Sequence, residues 1–408
     1  MKKILLKNGT IIDGKKDEPI FHHSVLIQDG KIVKIAENIS EDTDTLVIDC
    51  TYKYIMPGMI DCHVHIDLDP EVDMNQALLE DTNVMYVIKA IDRLKKYLPA
   101  GFTTIRINGG MEHLATSLRD SVNQKIISGP RIIAAGQYLS ITGGHGAFFS
   151  PWVNVQNHMC KVVDGPDELR KAIRHQVWSK VDVIKFFNTG GACDPNSNLQ
   201  AQEFSDEELK MIVSEAKRAF KRTSTHAHGT VGIKSAAKAG VDSIEHASML
   251  DEECIQIIKD KGIFIVPTLK ASYEIMAHKA GLPGYIVEKA SNLVENCKQS
   301  FGMAYEAGIN IAMGTDSGTP FNYHGENAKE LELMVQYGMS CMDAIKCSTS
   351  RAAENLAIDN IVGSIEAGKC ADLLLLSENP LNDIRVLQKQ ECIQMVMKDG
   401  SIEVNRLS

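Results

Sequence analysis

The chain has 408 residues, 44% of them apolar and 24% charged, with a net charge of −10 at neutral pH. That length accommodates one large α/β barrel plus a smaller unit, and the apolar share is that of a globular protein. The acidic balance argues against a nucleic-acid partner, and no stretch approaches the roughly 20 apolar residues of a membrane helix. The ten cysteines are scattered without a CxxC pair, which suits reduced thiols in the cytoplasm. Met1-Lys2-Lys3 opens like a secretion signal, but the apolar run Ile4-Leu5-Leu6 ends at Lys7, too short for one. A cytoplasmic enzyme is expected.

Residues 1–57 read as short strands. Asn8-Gly9 and Asp29-Gly30 tolerate positive φ, so they predict hairpins joining Ile4–Lys7 to Thr10–Ile12 and Ser24–Gln28 to Lys31–Ile35. Leu46–Asp49 is a further strand. From Gly58 strands alternate with helices, the pattern of a parallel sheet. Eight strands are predicted: Met59–His65, Thr103–Ile107, Arg131–Ala135, Val181–Phe186, Thr223–His226, Ser243–His246, Phe264–Pro267 and Asn310–Gly314. Helices are predicted over Asp167–Lys180, Ser205–Lys221, Pro283–Ala307 and Ser340–Asn355, and Ser205 to Glu208 form a capping box. Gly101, Gly129, Gly240, Gly262 and Gly308 are candidate helix C-caps.

No glycine-rich turn follows the first strand, as an open dinucleotide-binding sheet would require, so the expected fold class is α/β, a (β/α)8 barrel. After residue 360 the β texture returns in Leu373–Leu376 and in Ile393–Lys398 with its Asp399-Gly400 turn. The economical arrangement pairs the two chain ends. It gives a small β-sandwich from 1–57 plus 361–408 beside a catalytic barrel of 58–360.

Chemistry in such a barrel sits at the C-terminal ends of the strands. Strand 1 ends in His63-Val64-His65, whose imidazoles share a face because strand side chains alternate. Strand 5 repeats the spacing in His226-Ala227-His228; strand 6 ends in His246 and strand 8 in Gly314-Thr315-Asp316. Strand 4 carries Lys185 in an apolar run, where a buried ammonium is costly unless paired or neutralised. Singly, each residue reads as a hydrogen-bonded strand end. Jointly, they predict a metal site.

With Pro57-Gly58-Met59-Ile60-Asp61-Cys62-His63-Val64-His65, Thr225-His226-Ala227-His228-Gly229, Ser243-Ile244-Glu245-His246 and Gly314-Thr315-Asp316, the chain resembles the amidohydrolase superfamily over nearly its whole length. The resemblance implies two zinc (or other divalent) ions per chain. His63, His65 and Asp316 would bind one and His226 and His246 the other, bridged by a carboxylated Lys185 and a hydroxide. Spacing leaves open whether His226 or His228 is the strand-5 ligand; relatives with Tyr at the second position favour His226, making His228 a substrate contact. Such a centre hydrolyses C–N bonds, with Asp316 moving the proton.

Ser140-Ile141-Thr142-Gly143-Gly144-His145-Gly146, Ile184-Lys185-Phe186 and the His226 motif look most like the branch of metal-dependent dipeptidases and imidazolonepropionase-like hydrolases. That likeness makes His145 a catalytic and substrate-holding residue. His324, on the loop after strand 8, is a further substrate candidate. The overall look is nearest to zinc-dependent arginine carboxypeptidases, which implies a dipeptide or small-molecule substrate with C-terminal Arg or Lys. Acidic residues expected at the mouth (Asp67, Asp69, Asp194, Glu203, Glu326) are compatible with that. Two alternatives stand beside it: a cyclic-amide hydrolase of imidazolonepropionase or dihydroorotase type, and a non-catalytic scaffold. Relatives commonly form homo-oligomers.

Overall fold

The computed structural model describes residues 3–71, 79–153, 158–194 and 197–407. Strands Met59–Val64, Phe102–Ile107, Arg131–Ala134, Val183–Phe187, Arg222–Ala227, Ser243–His246, Phe264–Val266 and Asn310–Ile311 run parallel in that spatial order. Two seams complete the circuit. Asp182 N donates to Ala134 O at 2.7 Å, and beyond the last strand Asp316 N donates to His63 O at 2.7 Å. This α/β fold is consistent with the expected barrel.

Alternation along each strand divides core from site. Ile184 and Phe186 pack outward beneath the helices, and Lys185 between them points inward. In the same way Ile60, Cys62 and Val64 face apolar surroundings, whereas His63 and His65 face the mouth. Ser205 and Glu208 form the expected capping box on helix Asp206–Arg218. Gly101, Gly240 and Gly262 cap as expected in the left-handed conformation. Gly129 does not: its φ is not positive, and a side chain there would meet Leu94 at 2.8 Å.

The chain ends share one sheet. Ile20–Gln28 pairs with Lys3–Ile11, which also pairs with Tyr54–Pro57; that strand lies against Leu373–Leu376, followed by Ile393–Lys398 and Ser401–Asn405. The sheet curls until Ile32 N reaches Lys369 O at 2.9 Å, and it encloses its own core of Ile4, Leu6, Val25, Leu373 and Met395.

Two local expectations are corrected. Asn8-Gly9 is no hairpin turn but an irregularity within one long strand, because the partner strand runs past it on both sides. Ser340–Asn355 is two helices, Cys341–Cys347 and Ser350–Asn355; the carbonyls of Cys347 and Ser348 are diverted to Met313 N and Ile60 N in the ring. Among the described residues no helix is long and apolar enough to cross a membrane.

Candidate metal centre and cavity

A cavity of about 270 Å3 opens at the C-terminal end of the ring. Its floor brings together His63, His65, Lys185, His226, His228, His246 and Asp316. Two clusters can be distinguished. His63, His65 and Asp316 form one, with Asp316 Oδ1 3.3 Å from His63 Nε2 and 3.0 Å from His65 Nε2, the two nitrogens being 3.2 Å apart. His226, His228 and His246 form the other, with ring centroids 4.4 to 4.6 Å apart.

Strand alternation alone would turn His246 away from the mouth, since Glu245 before it points into the ring. The backbone of His246 is left-handed (φ 70), as is that of Asp316 (φ 60). Such strain in non-glycine residues is characteristic of functional sites.

Electrostatics favour neutral imidazoles. Burial, reinforced by the Lys185 charge, lowers His63 to about 4; burial with neighbouring His145 lowers His228 to about 3. His226 and His246 are held well below the usual range by burial and by their histidine neighbours. Asp316 is held low despite its burial by His63 and His65. Neutral rings and an ionised carboxylate are the protonation states in which these groups bind a cation.

Lys185 is 1% exposed, and its Nζ has no hydrogen-bond partner among the described residues. Burial lowers it to about 8. An orphaned buried amine whose charge acts on both clusters fits a residue completed by a group that the protein alone does not supply.

Most rings have a second contact that fixes their orientation. Tyr138 Oη lies 2.8 Å from His65 Nδ1, Ser248 Oγ 2.8 Å from His228 Nδ1, and Thr268 Oγ1 2.6 Å from His246 Nδ1. His63 Nδ1 meets Glu245 Oε2 at 2.8 Å. Beneath the first strand, buried Asp61 accepts from Thr315 Oγ1 and Asn327 Nδ2 at 2.7 Å each, tying strand 1 to strand 8. Tyr138, Ser248, Thr268 and the role of Glu245 escaped the sequence reading. Only Glu245 carried a signal, as a carboxylate inside a buried strand.

His145 stands beside the second cluster, 4.7 Å from the His226 ring, and its backbone N–H donates to Glu203 at 2.7 Å. Gly191 makes room for it: a side chain there would meet the His145 ring at 2.3 Å. His324 is elsewhere. It is buried, 2.7 Å from Tyr97 Oη, and is not among the described residues lining the cavity.

The walls are largely apolar. Helices Leu269–Ala277 and Gly284–Glu306 contribute Ile275, Ile286, Ala290 and Leu293, and Phe148 and Phe187 stand opposite. The acidic residues expected at the mouth are mostly engaged. Asp69 pairs with Arg93 at 2.9 Å, Glu203 holds the His145 loop, Asp67 accepts from Met111 N at 2.7 Å, and Glu326 lies 3.9 Å from Lys270.

A ring of parallel strands with histidine clusters and a buried lysine at its mouth is an arrangement suited to metal-assisted hydrolysis. Residues 54–402 match the amidohydrolase family. The fold superposes on a crystal structure of a Xaa-Pro dipeptidase with methionine bound in its active site, with a TM-score of 0.90, 35% identity and coverage of 98% of this chain and 99% of that one. A prolidase complexed with N-methylphosphonate-L-proline superposes with a TM-score of 0.93 at 28% identity, covering 100% of both chains. Ochratoxinase of Aspergillus niger is 32% identical over 375 residues, 85% of this chain and 75% of its own length. The chain belongs to the amidohydrolase family and is a hydrolytic enzyme acting on amide C–N bonds.

Proposed function

We propose that the protein is a binuclear metal-dependent dipeptidase or carboxypeptidase of the cytoplasm. Its (β/α)8 barrel, residues 58–360, would carry the chemistry beside a β-sandwich domain of 1–57 and 361–408. The observation that carries this reading is the orphaned Lys185 Nζ on the cavity floor with the two clusters. His63, His65 and Asp316 would hold one divalent ion, zinc in the simplest case, and His226 and His246 the other. Lys185, depressed to about 8, has the free amine needed to take up CO2 as a bridging carbamate. When bound, the ions would lower the pKa of a water and polarise an amide carbonyl.

The chain's own groups do the rest. Asp316, held low in pKa and 3.0 Å from His65, would take the proton of the attacking water and pass it to the leaving nitrogen. His145 and His228, on the cavity side of the second cluster, would hold the substrate carbonyl or carboxylate. The apolar walls exclude water from the scissile bond.

Those walls also bear on the side chain accepted. A C-terminal Arg or Lys would need an acidic partner; Asp69 is already paired with Arg93, and Glu71 is the other outer carboxylate among the described residues lining the cavity. Ile275, Ile286 and Leu293 suit an apolar side chain, as does the methionine held by the Xaa-Pro dipeptidase neighbour. We therefore favour dipeptides or N-acyl amino acids with an apolar C-terminal residue over those ending in Arg or Lys.

Two measurements test this. Protein produced with zinc and bicarbonate should hold two ions per chain by elemental mass spectrometry, and much less than two overturns the centre. A library of dipeptides ending in Met, Phe, Pro, Arg and Lys, run beside imidazolones and cyclic ureides, should show turnover of the apolar dipeptides first. Ring opening with untouched dipeptides would make the protein a cyclic-amide hydrolase instead.

A further inference from the structure

Below the mouth, inside the ring, Glu245 is fully buried and gathers four donors. Its Oε2 faces His63 Nδ1 at 2.8 Å. Its Oε1 accepts from Arg106 Nη2 at 2.7 Å, from Ser243 Oγ at 2.7 Å and from Ser224 Oγ at 2.8 Å. Arg106, also buried, donates through Nη1 to Ser243 Oγ at 3.2 Å and through Nε to the carbonyl of Cys62, the residue before His63. The network thus joins strands 1, 2, 5 and 6. Neither Glu245 nor Arg106 is among the described residues lining the cavity.

A buried ion pair costs desolvation that an apolar pair of similar size would avoid, so stability alone is a weak reason for one here. The partners of the other rings suggest a better reason. Tyr138, Ser248 and Thr268 offer hydroxyls, which can donate or accept and so permit either imidazole tautomer. A carboxylate only accepts. Backbone carbonyls, which also only accept, face His226 Nε2 (Gly190, 3.2 Å) and His65 Nδ1 (Gly109, 3.4 Å); among the side-chain contacts, the one to His63 is the one that dictates a tautomer.

We propose that Glu245, held by Arg106, is a positioning residue of the metal centre. It keeps the His63 proton on Nδ1 and turns the Nε2 lone pair toward His65 and Asp316, 3.2 and 3.3 Å away. The inference rests on the metal-centre reading above. Glu245 acts through His63 and does not touch substrate.

The test is Glu245→Gln, whose amide can present N–H as well as oxygen to His63 and so releases the constraint. Cobalt(II) binding, read by competition with a chromophoric chelator, should weaken about tenfold or more for one of the two ions. The visible spectrum of the cobalt protein should change with it, and Glu245→Asp should recover part of both. Unchanged cobalt affinity and spectrum in Glu245→Gln, even with a lowered melting temperature, would overturn the proposal. Neutron diffraction from the unsubstituted, metal-free protein decides the matter if the variants fail to fold. A deuteron on His63 Nδ1 facing Glu245 supports the proposal, and one on Nε2 overturns it. If the unsubstituted protein takes up no cobalt, the metal-centre reading itself falls, and the inference with it.

Discussion

The floor and the walls of the cavity are built on opposite principles. The floor is polar, buried and set by strand ends: Lys185, the histidines and Asp316 project from backbone fixed by the ring of hydrogen bonds. The walls are apolar and come from helices and loops outside that ring, chiefly Leu269–Ala277 and Gly284–Glu306. Strand ends give the sub-ångström placement that bond-making chemistry needs, while helices and loops can change side chains without disturbing it. The difference assigns reaction type to the floor and substrate choice to the walls. Each variant below should therefore move one property and leave the other.

The largest effect belongs to the floor. Lys185→Ala should lose metal and activity together, with kcat/KM falling on the order of 10^3-fold, several kcal/mol in barrier. Elemental analysis and turnover measured on one preparation check it. A variant with full turnover would remove Lys185 from the centre and break the division just drawn.

The floor was legible in the sequence because its signals are local. An i, i+2 histidine pair on an apolar strand specifies a shared face wherever the strand lies, and counting strands placed His63, Lys185, His226, His246 and Asp316 at the same end of the ring. The supporting contacts were not legible, because each joins residues far apart in sequence: Tyr138 to His65, Thr268 to His246, Glu245 to His63. The partners of the mouth carboxylates were hidden for a related reason. Composition made the mouth look acidic, whereas Arg93, Lys270 and backbone amides occupy most of those carboxylates in the fold. Asn8-Gly9 shows the same limit at small scale, where long-range pairing overrode a strong turn signal.

A wall variant should separate binding from chemistry. Ile275→Ala removes three carbons from the apolar side of the cavity. At about 0.8 kcal/mol per methylene, only partly realised in a site that can relax, the loss is roughly 1–2 kcal/mol. That predicts KM about tenfold higher for dipeptides ending in Met or Phe, with kcat little changed, in steady-state assays across the series. A fall in kcat with unaltered KM would mean that Ile275 supports the floor.

Acid should weaken the floor before the walls. His63 and His228 are lowered by burial to about 4 and about 3, and His226 and His246 also lie well below the usual range. Their ordinary value is near 6.5, so between that pH and about 4 the unfolded chain binds more protons than the folded one. Stability contributed by the neutral rings is present above 6.5 and is lost as the pH falls. Scanning calorimetry of the chelator-stripped protein should show the melting temperature dropping by several degrees from pH 7 to pH 5. Zinc-loaded protein should melt higher at pH 7, and an identical melting temperature there would argue that these rings do not hold the ions.

The smallest effect is expected at His324, which the sequence offered as a substrate contact and which lies against Tyr97 Oη at 2.7 Å, outside the described lining of the cavity. Its ring is buried, so removing it has a structural cost: a lost hydrogen bond of about 1 kcal/mol and a small void. His324→Ala should therefore lower the melting temperature by a few degrees and leave kcat/KM within about twofold. The substitution is a sharp test because it lies on the loop after strand 8, eight residues beyond Asp316. If kcat/KM instead fell a hundredfold with metal content intact, the cavity would have to extend past Tyr97 when substrate binds. The boundary between floor and wall would then pass through His324 rather than in front of it.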